Sequence, residues 1–261
     1  MRLDQPLNNP YQDSVVVASC DGMLCITTNQ QRDTVLWNPS IQKSKKLPTL
    51  EDSKPYFGIR PIVYGFGYDH VLDNYKVVAV FWDVRVAKIH TLGTDSWRMI
   101  KYFPSSPSSD AGQLVRGTLN WLSVDSRIIS FDLVKECCQE LCLPDYGGGG
   151  VNVTLEVLRD CLCIFCNALT FADVWVMNEY GNKESWTKLF RVHDGFNPLC
   201  TSVLYYVYED DEVVVMSKTG AIVYNYINGT SRSPDTEYST KISEGMVPYR
   251  YIESLISPCL S

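Results

Sequence analysis

Short runs of alternating apolar and polar residues, bounded by tight polar turns, follow one another along the whole chain. Residues 64–101 show the unit most completely: Tyr64–Tyr68, Tyr75–Phe81, Val86–Leu92 and Trp97–Lys101 are four such runs separated by turn residues. Alternation with period two, broken by turns every 8–12 residues, predicts antiparallel strands. No stretch carries the apolar spacing of an amphipathic helix of three turns.

The pattern repeats. A strand of alternating apolar residues recurs five times, as Thr34–Asn38, Ala87–Thr91, Ile128–Asp132, Asp173–Met177 and Ala221–Asn225. Successive copies lie roughly 40 to 53 residues apart, the length of one kelch-like or WD-like blade. A hydrophobic strand after a polar turn precedes four of the five, at Met23–Ile26, Leu119–Leu122, Cys161–Phe165 and Val213–Met216. After the anchor comes another polar turn; Gly93-Thr94-Asp95-Ser96-Trp97 and Asn182-Lys183-Glu184-Ser185-Trp186 nearly repeat each other. A sandwich or barrel would also be built of short strands, but neither explains this period. The expected fold is therefore all-β: a kelch-like β-propeller of four-stranded antiparallel blades. Tyr249–Ile256 reads as the first strand of a further repeat, giving about five blades plus an incomplete one. Trp97 and Trp186 are expected to be packing anchors between blades.

Composition narrows the function. The chain has 261 residues, 45% of them hydrophobic, enough to bury a sizeable core. Its formal charge is −7, which disfavours a nucleic-acid surface, because such surfaces replace counterions with Lys and Arg. The one dense basic group, Lys43, Lys45 and Lys46, has no neighbouring cluster to extend it. The first ten residues are polar and broken by Pro6 and Pro10, with no apolar core of a secretory signal. The longest apolar runs are strand-length, so no membrane partner is expected. Ten cysteines in a chain of this kind read as reduced and mostly buried. Cytoplasmic or nuclear residence follows, and with it chance status for the sequons at Asn152 and Asn228.

Candidate chemistry is sparse. Cys161-x-Cys163-x-x-Cys166 and Cys137-Cys138-x-x-x-Cys142 lack the paired knuckles of structural zinc. Three histidines, His70, His90 and His193, are too few for a copper oxidase site, and no nucleophile elbow or His-Glu-x-x-His occurs. Gly147–Gly150 is followed by neither Lys-Ser/Thr nor a helix start, so it reads as a loop between blades, not a phosphate cradle. No catalytic residue, metal or cofactor is expected. A propeller enzyme, hydrolase or oxidase, with an unrecognised central site is the alternative to a binding module.

Several segments resemble a known family. Trp37-Asn38-Pro39-Ser40 with Lys46-Leu47-Pro48, Tyr64–Asp69 with Tyr75–Val78, Leu92–Trp97, and Val174–Gly181 with Glu184–Phe190 are similar, in order, to the signature blocks of plant F-box-associated domains. The resemblance spans residues from about 14 to 256. It implies a substrate-recognition module of a Skp1–cullin–F-box ubiquitin ligase, whose protein partner is the target for ubiquitination. In that family an F-box of some forty residues precedes the domain and holds the Skp1-like protein. Residues 1–13 read as a short lead without an F-box, and 14–261 as a single propeller domain, so Skp1 binding is expected only through an F-box that this chain lacks.

Strand parity locates the expected binding surface. In a four-stranded antiparallel blade the first-to-second and third-to-fourth turns share one face, and the second-to-third loops and blade connections share the other. Here the first face carries mostly short polar turns, and the second carries the long connections. Those loops contain Tyr56, Phe57, Arg60, Trp82, Arg85, Tyr146, Phe171 and Phe196, and aromatic and Arg side chains are the usual anchors of protein interfaces. The target is expected on this second face.

Overall fold

The computed structural model describes residues 14–28, 33–50, 62–82, 84–100, 102–108, 111–147, 151–168, 171–193, 203–206, 212–217, 220–233 and 252–259. They form five antiparallel four-stranded sheets, each built from consecutive strands in sequence order. The first blade contains β1 (Val15–Cys20), β2 (Met23–Thr28), β3 (Asp33–Asn38) and β4 (Lys43–Lys46). The second contains β5 (Ile62–Asp69), β6 (Asn74–Phe81), β7 (Val86–Thr91) and β8 (Arg98–Ile100). β9 (Gln113–Val115), β10 (Thr118–Leu122), β11 (Arg127–Asp132) and β12 (Cys137–Cys142) make the third. The fourth holds β13 (Asn152–Leu158), β14 (Cys161–Asn167), β15 (Phe171–Met177) and β16 (Trp186–His193); a single 3-10 turn, Lys183–Ser185, precedes β16. The fifth holds β17 (Val203–Tyr206), β18 (Glu212–Ser217), β19 (Gly220–Asn225) and β20 (Thr230–Arg232). Each of the five recurring anchors in the sequence is the third strand of its blade.

The chain divides into two compact units, Met1–Glu140 with Tyr249–Ser261, and Leu141–Pro248. In the first unit β5 lies beside β1 on one side and β9 and β10 on the other, so first strands neighbour first strands, the arrangement of propeller blades. Side-chain parity then builds two cores from one sheet. Tyr75, Val77, Ala79 and Phe81 of β6 pack with Cys20, Met23, Cys25 and Leu36 of the first blade. The alternate residues Val78 and Val80 pack with Leu119, Trp121, Ile129 and Phe131 of the third. Both faces of β6 are therefore buried, which is why the sequence there is nearly continuously apolar. In the second unit Phe165, Val174 and Phe190 meet Val213, Val215 and Tyr224 in the same way.

Turn chemistry fixes the strand ends. Asp21-Gly22, Arg116-Gly117 and Arg159-Asp160 join first to second strands with both residues at positive φ, the tight hairpin whose twist matches its strands. At the end of the third strand an Asn or Asp caps the next turn: Asn38 Oδ1 accepts from the Ser40 N–H, Asp132 Oδ1 from Val134 and Lys135, and Asn225 Oδ1 from Ile227 and Asn228. The two tryptophans act as expected. Trp97, partly buried against the first core, donates from Nε1 to the Pro48 carbonyl at 2.7 Å, and the buried Trp186 donates to the Cys142 carbonyl at 3.0 Å. The segment expected to begin a further blade behaves differently. From Ile252 to Ser257 it pairs with no ladder among the described residues and is held instead by the Asn38 side chain and the Asp21 carbonyl of the first blade.

Candidate functional site

The β6–β7 connection places Trp82 and Arg85 together. The ladder closes at Phe81 opposite Val86, and the chain between them must reverse within residues 82–85. Trp82 is 39% exposed and Val84 41% exposed. Arg85 is exposed, stands in the left-handed region at φ 53°, and makes no ion pair among the described residues. That φ is the geometry of a tight strand-to-strand turn, shared with Arg116 and Arg159. In the same unit the β10–β11 turn presents Val124, 52% exposed, anchored by its N–H to the Ser106 carbonyl at 3.0 Å. Tyr102, which follows β8, is exposed as well. Thus one end of the second and third blades displays Trp82, Val84, Arg85 and Val124 in short turns, with Tyr102 in the connection that leaves β8.

Phe171 and Tyr146 lie in the second unit and are less available. The Arg191 guanidinium stands 3.8 Å over the Phe171 ring and is clamped by Asp173 through bonds of 2.5 and 2.6 Å, while Lys188 reaches the same carboxylate at 2.7 Å. Burial pushes the Asp173 carboxyl up, but the bonds from Arg191 and Lys188 outweigh it and hold the group below the usual carboxylate range. Tyr146 is half-buried, and burial raises its hydroxyl above the ordinary value. Tyr56, Phe57, Arg60 and Phe196 lie outside the described residues. The structure therefore brings Trp82 and Arg85 together in one turn and spends Phe171 on a local stack.

Three features escaped the sequence reading. Val84 and Val124 are short aliphatics in turns, with no aromatic or charge to flag them. The first face is also less polar than its turns imply, because Val71 and Leu72 between β5 and β6 are 64% and 61% exposed. Lys76, finally, sits in an apolar run yet is 1% exposed, with Nζ 2.6 Å from Asp69 Oδ2, 2.7 Å from the Leu133 carbonyl and 2.9 Å from Glu136 Oε1. Only the spacing of Asp69 and Lys76 across one hairpin could have signalled that pair.

Two residues that the sequence offers for chemistry, His90 and Cys163, are built into the core. His90 is 2% exposed, interacts through Nε2 with the Thr94 carbonyl at 3.0 Å, and packs 5.3 Å from Trp97. Burial pushes its pKa down. Cys163 is packed with Phe165 and Val215, and burial raises its thiol well above the ordinary value. Among the described residues no three His, Cys, Asp or Glu side chains converge in a way that could hold a metal.

Comparison with known proteins now decides the family. Residues 3–258 match the model of the F-box associated beta propeller domain. The chain belongs to that family. An F-box/kelch-repeat protein of Arabidopsis thaliana, At3g23880, is 33% identical over 93% of this chain and 69% of its own length. F-box protein At3g07870 and F-box protein CPR1 of the same plant are 31% and 29% identical, each over 68% of this chain. The chain spans about half the length of these two relatives. Among solved structures, an oligogalacturonate lyase in complex with manganese aligns with TM-score 0.54 at 12% identity, covering 87% of this chain and 65% of that one. A chain of a mitotic checkpoint complex aligns with TM-score 0.51 at 12% identity, over 88% and 72%. An enzyme and a member of a protein assembly share the architecture, so these likenesses concern fold alone. The family's signature blocks now have physical meanings: the Asp69–Lys76 block is the buried pair, the Trp97 and Trp186 blocks are the carbonyl clips, and Asn38 is a turn cap.

Proposed function

We propose that this F-box-associated propeller is a protein-binding module that presents a target to a Skp1–cullin–F-box ubiquitin ligase, and that the target docks on the second face. The link to a Skp1-like protein runs through an F-box, which the matched propeller residues do not supply. The observation that carries this reading is the Trp82–Arg85 turn, where a large apolar ring, 39% exposed, and an exposed Arg without an ion pair among the described residues stand together. Such side chains anchor interfaces when their surroundings are rigid, and the two flanking ladders supply that rigidity. The names of the relatives, all F-box proteins, support adaptor work over catalysis. His90, the histidine at a repeat anchor, is spent on packing against Trp97, which also favours a binding role. Burial of Cys25 and Cys163 as small hydrophobes suits a reducing compartment, cytoplasm or nucleus.

The test is reconstitution. This chain fused behind an F-box, assembled with Skp1-like and cullin subunits, is used to purify binding proteins from plant extract, and each is assayed for ubiquitin transfer. The expected result is at least one protein ubiquitinated only when the propeller is present. Transfer that is unchanged when the propeller is deleted would contradict the proposal.

A further inference from the structure

Residues 252–259 are attached to the first blade by a chain of polar contacts, with Pro258 buried near their end. Asn38, fully buried at the end of β3, turns its amide nitrogen to three acceptors: the Ser254 carbonyl at 3.0 Å, the Ser254 hydroxyl at 3.1 Å and the Ile256 carbonyl at 2.8 Å. The Ser254 hydroxyl in turn donates to the Asp21 carbonyl at 2.6 Å. Gly22 makes the close approach feasible. A Cβ there would stand 2.5 Å from the Ile252 carbonyl and would meet the Ser254 hydroxyl as well. At the far end the Cys259 thiol reaches the Ser44 carbonyl at 3.7 Å.

Two of the three large aliphatic side chains of the segment do little of the holding. Ile252 is 57% exposed and Leu255 86% exposed, and no ladder runs from Ile252 to Ser257 among the described residues. Backbone carbonyls and one small hydroxyl are therefore recognised, whereas the Ile252 and Leu255 side chains are not. This is how a groove reads an extended peptide, through main-chain atoms plus one pocket for a chosen side chain.

We infer that Asp21, Gly22 and Asn38 form a binding groove for an extended peptide bearing a serine, and that the chain fills this groove in cis with its own residues 252–259. The groove lies at the first face, at the opposite blade ends from Trp82 and Arg85, so it stands or falls independently of the target-docking reading. Ser254 is the key. With the Asp21 carbonyl and Gly22 against it, the hydroxyl leaves no room for a larger or charged group, so modification of that serine would empty the groove for a competing peptide.

The experiment uses the full chain and, as probe, a fluorescein-labelled synthetic peptide of residues 249–261 carrying Cys259→Ser. Ser254→Glu in the chain displaces the cis segment and leaves the groove intact, so the peptide is expected to bind this variant at least tenfold more tightly than the wild-type chain. Ser254→Glu in the peptide, or Asn38→Asp added to the chain, is expected to abolish binding. The peptide variant leaves protein folding untouched and keeps the test decisive even if Asn38→Asp unfolds the first blade. Equal binding to wild-type and Ser254→Glu chains, or binding indifferent to serine in the peptide, would overturn the inference.

Discussion

Replacing Lys76 with Met tests whether charge inside the first unit is a structural necessity. The ammonium is 1% exposed, and Asp69, its closest partner, is fully buried. Removing the cation leaves the Asp69 carboxylate with two N–H donors, Val71 at 2.9 Å and Leu72 at 3.1 Å, and deprives the Leu133 carbonyl of its 2.7 Å donor. Breaking one side of a buried pair costs about 3–5 kcal/mol because the remaining charge stays desolvated, equivalent to a fall of roughly 6–20 °C in Tm for a domain of this size. Urea unfolding followed by tryptophan fluorescence measures it. The pH dependence sharpens the test. Burial raises the Asp69 carboxyl, but bonds from Lys76 and from the Leu72 and Val71 N–H groups hold it below the usual carboxylate range. A folded-state value below the unfolded one means that this group's stabilisation is present above about pH 4 and is lost as pH falls through the folded value. In Lys76→Met the sign reverses, since an uncompensated carboxylate gains from protonation, so the gap between variant and wild type should narrow toward pH 3. A loss under about 1 kcal/mol, well below the range expected for a broken buried pair, or a gap that widens on acidification, would refute the reasoning.

Three further outcomes follow from the same contacts. Trp186→Ala should cost about 3–5 kcal/mol in calorimetry, and Trp97→Ala, whose ring is only partly buried, about 3; a loss within 1 kcal/mol for both would deny them the anchoring role. Burial lowers the His90 pKa, and its Nδ1 has no hydrogen-bond partner among the described residues, so its stabilisation is complete above about pH 6.5 and declines as pH falls through the lower folded value. His90→Leu should flatten the stability profile between about pH 6.5 and 5, and an unchanged slope would count against it. Gly22→Ala places a Cβ at φ 75° against the Ile252 carbonyl, so hydrogen exchange at residues 252–259 should accelerate; unaltered protection there would argue against the contact.

The blade architecture was legible because it repeats: five third strands with one pattern overdetermine the period, and single ambiguous strands do not matter. The Trp97 and Trp186 clips were legible for the same reason, since two nearly identical turns place two indoles alike. The stack on Phe171 was hidden because parity puts that residue on a loop end but cannot reveal that Arg191, across the β15–β16 ladder, lies over its ring. Lys76 was hidden by its apolar neighbours, which suggest a strand but not the fate of its one charge. Tyr249–Ile256 looked like the first strand of a further blade, yet from Ile252 to Ile256 the backbone is recognised by Asn38 and joins no ladder among the described residues. That last contact joins residues more than two hundred positions apart, beyond any local signal.

The central claim, target docking at the Trp82–Arg85 turn, is tested most directly by comparing two paired substitutions in the reconstituted ligase. Trp82→Ala with Arg85→Ala should reduce target capture at least a hundredfold, the loss of two interface anchors worth about 1.4 kcal/mol or more each, with the fold retained by circular dichroism, because Arg85 is exposed and Trp82 is 39% exposed. Val71→Ala with Leu72→Ala, at the opposite end of the same blade, should leave capture intact. Capture that survives the first pair and fails with the second would contradict the assignment of the face.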